Sequence, residues 1–174
     1  MITRTIVLLF SILLLSSPAI ADSSNSVSSY CDEAKVDKLI EELNNITGTP
    51  LTEWSGERSG ELIYELGECR ASKSIPAMLN ILGLAGGSSV VNAFAKMGPS
   101  IIEPLISKTR DQDKKLRDEA ILYLWRTSEQ FSNFGHELST QDFNKIKRAI
   151  VSATRDKDQG VRQTANEILK KMAK

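Results

Sequence analysis

The side chains able to do chemistry are few. Cys31 and Cys69 are the two cysteines of the 174-residue chain, and His136 is its single histidine. Two cysteines in an exported chain predict one disulfide, the alternative being two separate buried thiols. A loop of that length, once closed, gains about 4 kcal/mol in the chain-entropy description. A tetrahedral zinc centre takes four good ligands, and one imidazole far along the chain from both thiols does not supply them. No metal or other cofactor is therefore expected. The chain has no Gly-x-Ser-x-Gly elbow, no glycine-rich loop ahead of a Lys-Ser/Thr pair and no His-Glu-x-x-His, so nucleophilic, phosphate and zinc-hydrolase chemistry have no motif to stand on. Glu57, Glu61 and Glu65 share one helical face. Nothing apolar surrounds them to raise a pKa, so an exposed acidic stripe is expected there rather than a carboxylate acid–base pair. Lys108, Arg110, Lys114 and Lys115 cluster around Asp111 and Asp113, the composition of a solvated turn. His136 reads as a loop residue, or as a pH-sensitive contact in a binding loop. The chain is expected to bind rather than to catalyse.

Charge and the first residues bound the setting. Formal net charge is +0, which gives no global pull toward nucleic acid or anionic lipid. The basic residues are interleaved with acids, and no nucleic-acid partner is expected. Arg4 supplies a short positive region, Ile6–Leu15 is apolar apart from Ser11, and Ala19-Ile20-Ala21 follows Pro18 with the small-x-small form of a cleavage site. That pattern predicts a signal peptide over 1–21. The apolar run is shorter than the about 20 residues a spanning helix takes, so no stable membrane insertion is expected after cleavage. Residues 22–31 are serine-rich and read as a flexible leader, and 32–174 as the folded domain. The compartment expected is the periplasm, with secretion as the alternative.

The elements that would position these residues are helices. Val36, Leu39, Ile40, Leu43 and Ile46 mark an amphipathic helix over 32–46, stopped by Gly48-Thr49-Pro50. A connector at 51–56 carries Trp54. A second helix runs over 57–66 with Gly67 ending it, and a third over 75–82 with Pro76 in its first turn. Ser88 can cap a fourth reaching about Met97, and Gly98-Pro99 stops it and starts a fifth lined by Ile101, Ile102, Leu105 and Ile106. Asp113 caps a sixth. Residues 128–140 interrupt the pattern with Phe131, Phe134, Gly135 and His136. Phe143, Ile146, Ile150 and Ala153 mark a seventh helix, and Val161, Ala165, Ile168, Leu169 and Met172 an eighth capped by Asp158. No strand of useful length is expected.

The chain also repeats itself. Thr109-Arg110-Asp111-x-Asp113-x-x-Leu116-Arg117-x-x-Ala120-x-x-x-Leu124 recurs as Thr154-Arg155-Asp156-x-Asp158-x-x-Val161-Arg162-x-x-Ala165-x-x-x-Leu169, every position offset by 45. Such a period marks stacked helical units that bury their apolar stripes only against neighbours. Helix openings with proline, Ile75-Pro76-Ala77-Met78-Leu79 and Ile102-Glu103-Pro104-Leu105-Ile106, and an Arg six residues beyond the turn Asp accompany it. Over roughly 57–174 this pattern resembles the HEAT-like repeat family. The turn after Leu82 lacks the Arg-Asp, and Arg148 stands where the seventh helix would carry proline. The resemblance implies an all-α fold of about eight helices, a short right-handed α-solenoid of about four stacked helix pairs. It implies that Asp111 with Arg117 and Asp156 with Arg162 are structural ion pairs tying the units.

Together with the signal-like start and the absence of a catalytic motif, the repeat points to an exported, non-catalytic module whose concave face, lined by the second helix of each pair, holds a protein or peptide. Lys145, Lys147, Arg148 and Ser152 on the seventh helix, and Glu103, Ser107 and Lys108 on the fifth, are the polar candidates. Phe131, Phe134 and Trp54 either plug the core or present an apolar contact to the partner, and His136, unless a solvated loop residue, is a further partner-binding candidate. A HEAT-like lyase or metal-dependent enzyme is one alternative, weakened by export and by the single histidine. A structural or inhibitory capping protein is the other.

Overall fold

In the computed structural model, residues 31–48, 56–84 and 87–173 are described. The expected signal peptide, nearly all of the leader, and Trp54 lie outside them. The chain is all-α, with eight α-helices and no strand among the described residues. They are α1 (Glu33–Thr47), α2 (Gly56–Cys69), α3 (Ile75–Leu79), α4 (Ser88–Lys96), α5 (Ile102–Lys108), α6 (Lys114–Gln130), α7 (Thr140–Ala153) and α8 (Gln159–Met172).

Local chemistry explains where the clearest helices begin. Asp32 accepts from Lys35 N at α1, Asp113 from Lys115 N at α6, Ser139 from Asp142 N at α7, and Asp158 from Gly160 N and Val161 N at α8. Each satisfies amides that have no partner inside the helix. Ser88 does not cap α4; Gly87 holds that position and offers no side chain.

The helices alternate between two layers. α2, α4, α6 and α8 pack on one another in succession, and α1, α3, α5 and α7 do the same beside them. Across the layers α1 meets α2, α5 meets α6 and α7 meets α8. Between the layers lies one core that includes Leu43, Leu62, Ile63, Leu66, Phe94, Ile121, Ile146 and Ala165. Each large aliphatic or aromatic side chain buried there contributes about 1.5–3 kcal/mol. No single helix could hide its stripe alone.

The two units sharing the sequence repeat also share their turn hydrogen bonds. Thr109 Oγ1 donates to Ile106 O at 2.7 Å and Thr154 Oγ1 to Val151 O at 2.8 Å. Asp111 Oδ1 accepts from Asp113 N at 3.1 Å, and Asp156 Oδ1 from Asp158 N at 2.8 Å. Equivalent residues therefore build equivalent turns.

Gly67 departs from expectation. It does not end α2, which continues to Cys69. A Cβ at Gly67 would lie 2.8 Å from Ala93 Cα and 2.9 Å from Ala93 Cβ. The missing side chain lets α2 and α4 approach closely, and both Gly67 and Ala93 are buried. Alanine is the better helix former by about 1 kcal/mol, yet Gly67→Ala is expected to destabilise by about 1–2 kcal/mol because the backbone of α4 must move. At Gly60 of the same helix nothing stands within 4 Å of such a Cβ, and Gly60→Ala is expected to stabilise by about 0.5–1 kcal/mol. Urea unfolding of both variants reads the contrast. Stabilisation in both would refute the close-approach role.

Two other boundaries shift. α3 is one short turn, followed by non-helical turns to Leu84. α6 extends to Gln130 and passes straight into a 3₁₀ turn over Phe131–Phe134. Much of the expected 128–140 interruption is thus ordered helix and turn.

Candidate functional site

The two repeat-equivalent turns, with α5 and α7 beside them, border an open cleft of about 780 Å³. Glu103 and Ile106 come from α5, and Lys145, Arg148, Ala149, Ser152 and Ala153 from α7. The turns add Thr109, Arg110, Asp111 and Gln112 on one side, and Arg155, Asp156 and Lys157 on the other, with Arg117 of α6 also on the lining. α5 and α7 are neighbours in one layer, so the cleft follows from stacking one unit on the next.

Six lining side chains are basic and three are acidic. All three acids are engaged within the protein. Asp156 takes a two-pronged contact from Arg117, Nε to Oδ2 at 2.7 Å and Nη2 to Oδ1 at 2.8 Å. That contact holds the Asp156 carboxyl below its ordinary range; burial opposes the effect and the Asp158 amide adds to it. Asp111 is likewise lowered, first by the Asp113 amide, and Lys108 lies 3.5 Å from it. Glu103 pairs with Lys145 at 2.9 Å, and this contact raises the lysine's pKa. Arg110, Arg148 and Arg155 hold no ion pair among the described residues. Three guanidinium groups thus face the cleft with their charge uncommitted. Such groups can grip carboxylates or phosphates.

The expected ion pairs are re-partnered. Arg117 does not pair with the Asp111 carboxylate. Its Nη1 donates instead to the Asp111 and Gln112 carbonyls, at 3.0 and 2.9 Å, while its fork crosses to Asp156 of the next unit. Arg162 anchors in the same way on the Asp156 and Lys157 carbonyls, at 2.7 and 3.0 Å, and does not pair with the Asp156 side chain. The tie runs from one repeat to the following one.

Lys145 and Arg148 line the cleft, but Phe131, Phe134 and His136 do not. Phe131 is 1% exposed, and Phe134 packs partly buried against the core. The core-plug reading describes Phe131, while Phe134 keeps part of its ring exposed. His136 is not a solvated loop residue: its Nε2 donates to the Lys96 carbonyl at 3.1 Å, and its ring meets Phe131 edge-on. Gly98, with φ of +63°, leaves room for the imidazole, since a Cβ there would stand 2.8 Å from it.

Lys96, at the end of α4, was not singled out by sequence. It is 8% exposed, its ammonium bonds the Glu68 carboxylate of α2, and it sits 4.3 Å from the Tyr64 ring centroid and 5.5 Å from that of Phe134. The hydrogen bond from Lys96 holds Glu68 below its ordinary range. Arg155 was also missed as a site residue. Its only signal was recurrence, since the Thr-Arg-Asp arginine repeats at an offset of 45 without lying on an apolar stripe.

Cys31 and Cys69 are joined in a disulfide, with Cα atoms 5.4 Å apart. Among the described residues no group of acids, histidines or cysteines could hold a metal ion, and no helix is long and apolar enough to cross a membrane. No family model matches the chain, nor does any curated protein or solved structure.

Proposed function

We propose that this chain is an exported, non-catalytic module of HEAT-like repeats that holds a segment of another protein, or a peptide, in the α5–α7 cleft. The carrying observation is the cleft itself, where three arginines have no ion pair among the described residues on a surface whose acids are already engaged. Support for the repeat comes from the 45-residue sequence offset and the matching turn hydrogen bonds. The buried disulfide suits an oxidising compartment, and the signal-like first residues agree with it. Long-range attraction is weak at a net charge of +0, so recognition would act at contact range.

A photo-cross-linking side chain at Ser152, on the cleft, tests the seat against one at Gln163, exposed on α8 and outside the lining. The expected result is a discrete adduct from Ser152 in the exported fraction, absent from Gln163 and lost in Arg148→Glu. Equal labelling from both positions, or an adduct indifferent to Arg148→Glu, would overturn the assignment.

A further inference from the structure

We propose that the occupant of the cleft is an extended acidic peptide whose carboxylates stand at positions i and i+3, one gripped by Arg110 and the other by Arg155. This rests on the reading of the cleft as the partner's seat and adds the chemistry and register of what sits there.

Charge sets the class. Glu103 is neutralised by Lys145, Asp156 by Arg117, and Asp111 by its own turn and Lys108. What remains unopposed on the lining is the positive charge of Arg110, Arg148, Arg155 and Lys157. A guanidinium fork matches a carboxylate with two parallel hydrogen bonds. Arg148, on α7, adds a third positive group along the same wall.

Spacing sets the register. Arg110 and Arg155 occupy equivalent positions in equivalent turns, one unit apart, and the α5 and α7 helices that lead into those turns pack side by side. Packed helices lie about 8–10 Å apart. A peptide in the extended polyproline II form advances about 3.1 Å per residue and returns to the same face every third residue, so carboxylates at i and i+3 both face the wall and match that separation.

The remaining polar groups favour an extended ligand over a helical one. The Ser152 hydroxyl and the Gln112 amide line the cleft and hold no hydrogen-bond partner among the described residues. An extended peptide offers backbone N–H and C=O groups to them, whereas a helix has already used its own.

Fluorescence anisotropy with labelled short Gly/Ser peptides carrying two glutamates tests the inference on the full chain. Spacings of i,i+1, i,i+3 and i,i+7 are compared, with an oligothymidylate and inorganic polyphosphate as rival anions. The i,i+3 peptide should bind about tenfold tighter than i,i+1. Arg110→Gln and Arg155→Gln should each weaken it about tenfold, while Arg126→Gln, exposed on α6 outside the cleft, leaves it unchanged. If the spacings bind equally, or i,i+7 binds best, and the arginine variants still matter, the register is overturned and the cleft remains the seat. Preference for the nucleotide or polyphosphate overturns the acidic-peptide class. If none of these probes binds while the Ser152 cross-link persists, the ligand chemistry is overturned and the seat survives; loss of both removes the functional reading itself.

Discussion

Replacing Cys31 and Cys69 together by serine should lower the melting midpoint by on the order of 10 °C. The bond spans 38 residues of sequence, and releasing a loop of that size restores about 4 kcal/mol of unfolded-chain freedom. A loss of that size moves the midpoint of a domain of this length by roughly 2–4 °C per kcal/mol. Little else can compensate. Both cysteines are buried, so two hydroxyls would occupy an apolar site. The ion pairs between α1 and α2, Lys35–Glu65 at 3.4 Å and Arg58–Glu42 at 2.7 Å, are partly exposed and worth little. Calorimetry of the double variant, and of the native chain with and without reductant, measures the effect. A change of less than about 1 kcal/mol would show that packing alone fastens α1.

The second large effect is expected at the tie between repeats. Arg117 and Asp156 side chains are 5% and 12% exposed and joined by two short hydrogen bonds. Removing either strands the other in a nearly dry site, which costs far more than the net value of an intact pair. Arg117→Met also abandons two carbonyls. Its melting midpoint should fall by on the order of 10 °C. Arg117→Lys should recover only part of the loss, because an ammonium cannot reproduce the fork. Arg162→Met is expected to cost much less, since it removes carbonyl contacts without stranding an acid. A double-mutant cycle with Asp156→Asn should show losses well short of additive.

The same pair sets an acid limit. Asp156 titrates below its ordinary value of 3.8 in the folded chain, chiefly through the bond from Arg117. A carboxyl lowered by folding gives stability that is complete above the unfolded value and fades as pH falls through the folded one. Asp158 and Asp111 are lowered as well, by the Val161 and Asp113 amides first. Stability should therefore hold down to about pH 4 and decline below it, with a shallower decline in Arg117→Met. A titration of midpoint against pH that runs parallel in the two proteins would contradict this.

Features carried by neighbouring residues were legible in the sequence. Asp113 and Asp158 sit directly before apolar stripes, and both cap; Asp32, expected as the first residue of α1, stands one place before it and caps it. The stripes of α1, α7 and α8 recur every three or four residues, and burial follows them. Features decided by distant neighbours were not. Gly67 looks like a terminator by local chemistry, but its reason lies in Ala93 of α4. His136 falls outside any helical period because its partners, Gly98 and the Lys96 carbonyl, lie far back in the chain. Arg117 was matched to the aspartate six residues before it, whereas stacking brings closer the one 39 residues ahead. The cleft has no local signature, because its walls come from two units and only their repetition hints at it.

Lys96 works as a rivet through three plates. Its ammonium holds Glu68 and Tyr64 of α2, the same charge faces the ring of Phe134, and its carbonyl receives His136. Connections between helices ordinarily tolerate being lengthened or trimmed. Here a residue gained or lost between α6 and α7 would pull away the Phe134 ring and uncouple the imidazole, leaving the ammonium with Glu68 and Tyr64 of α2 only. The stretch that looks most like spare rope is thus cut to measure, and wear there would be felt across α4 and α2.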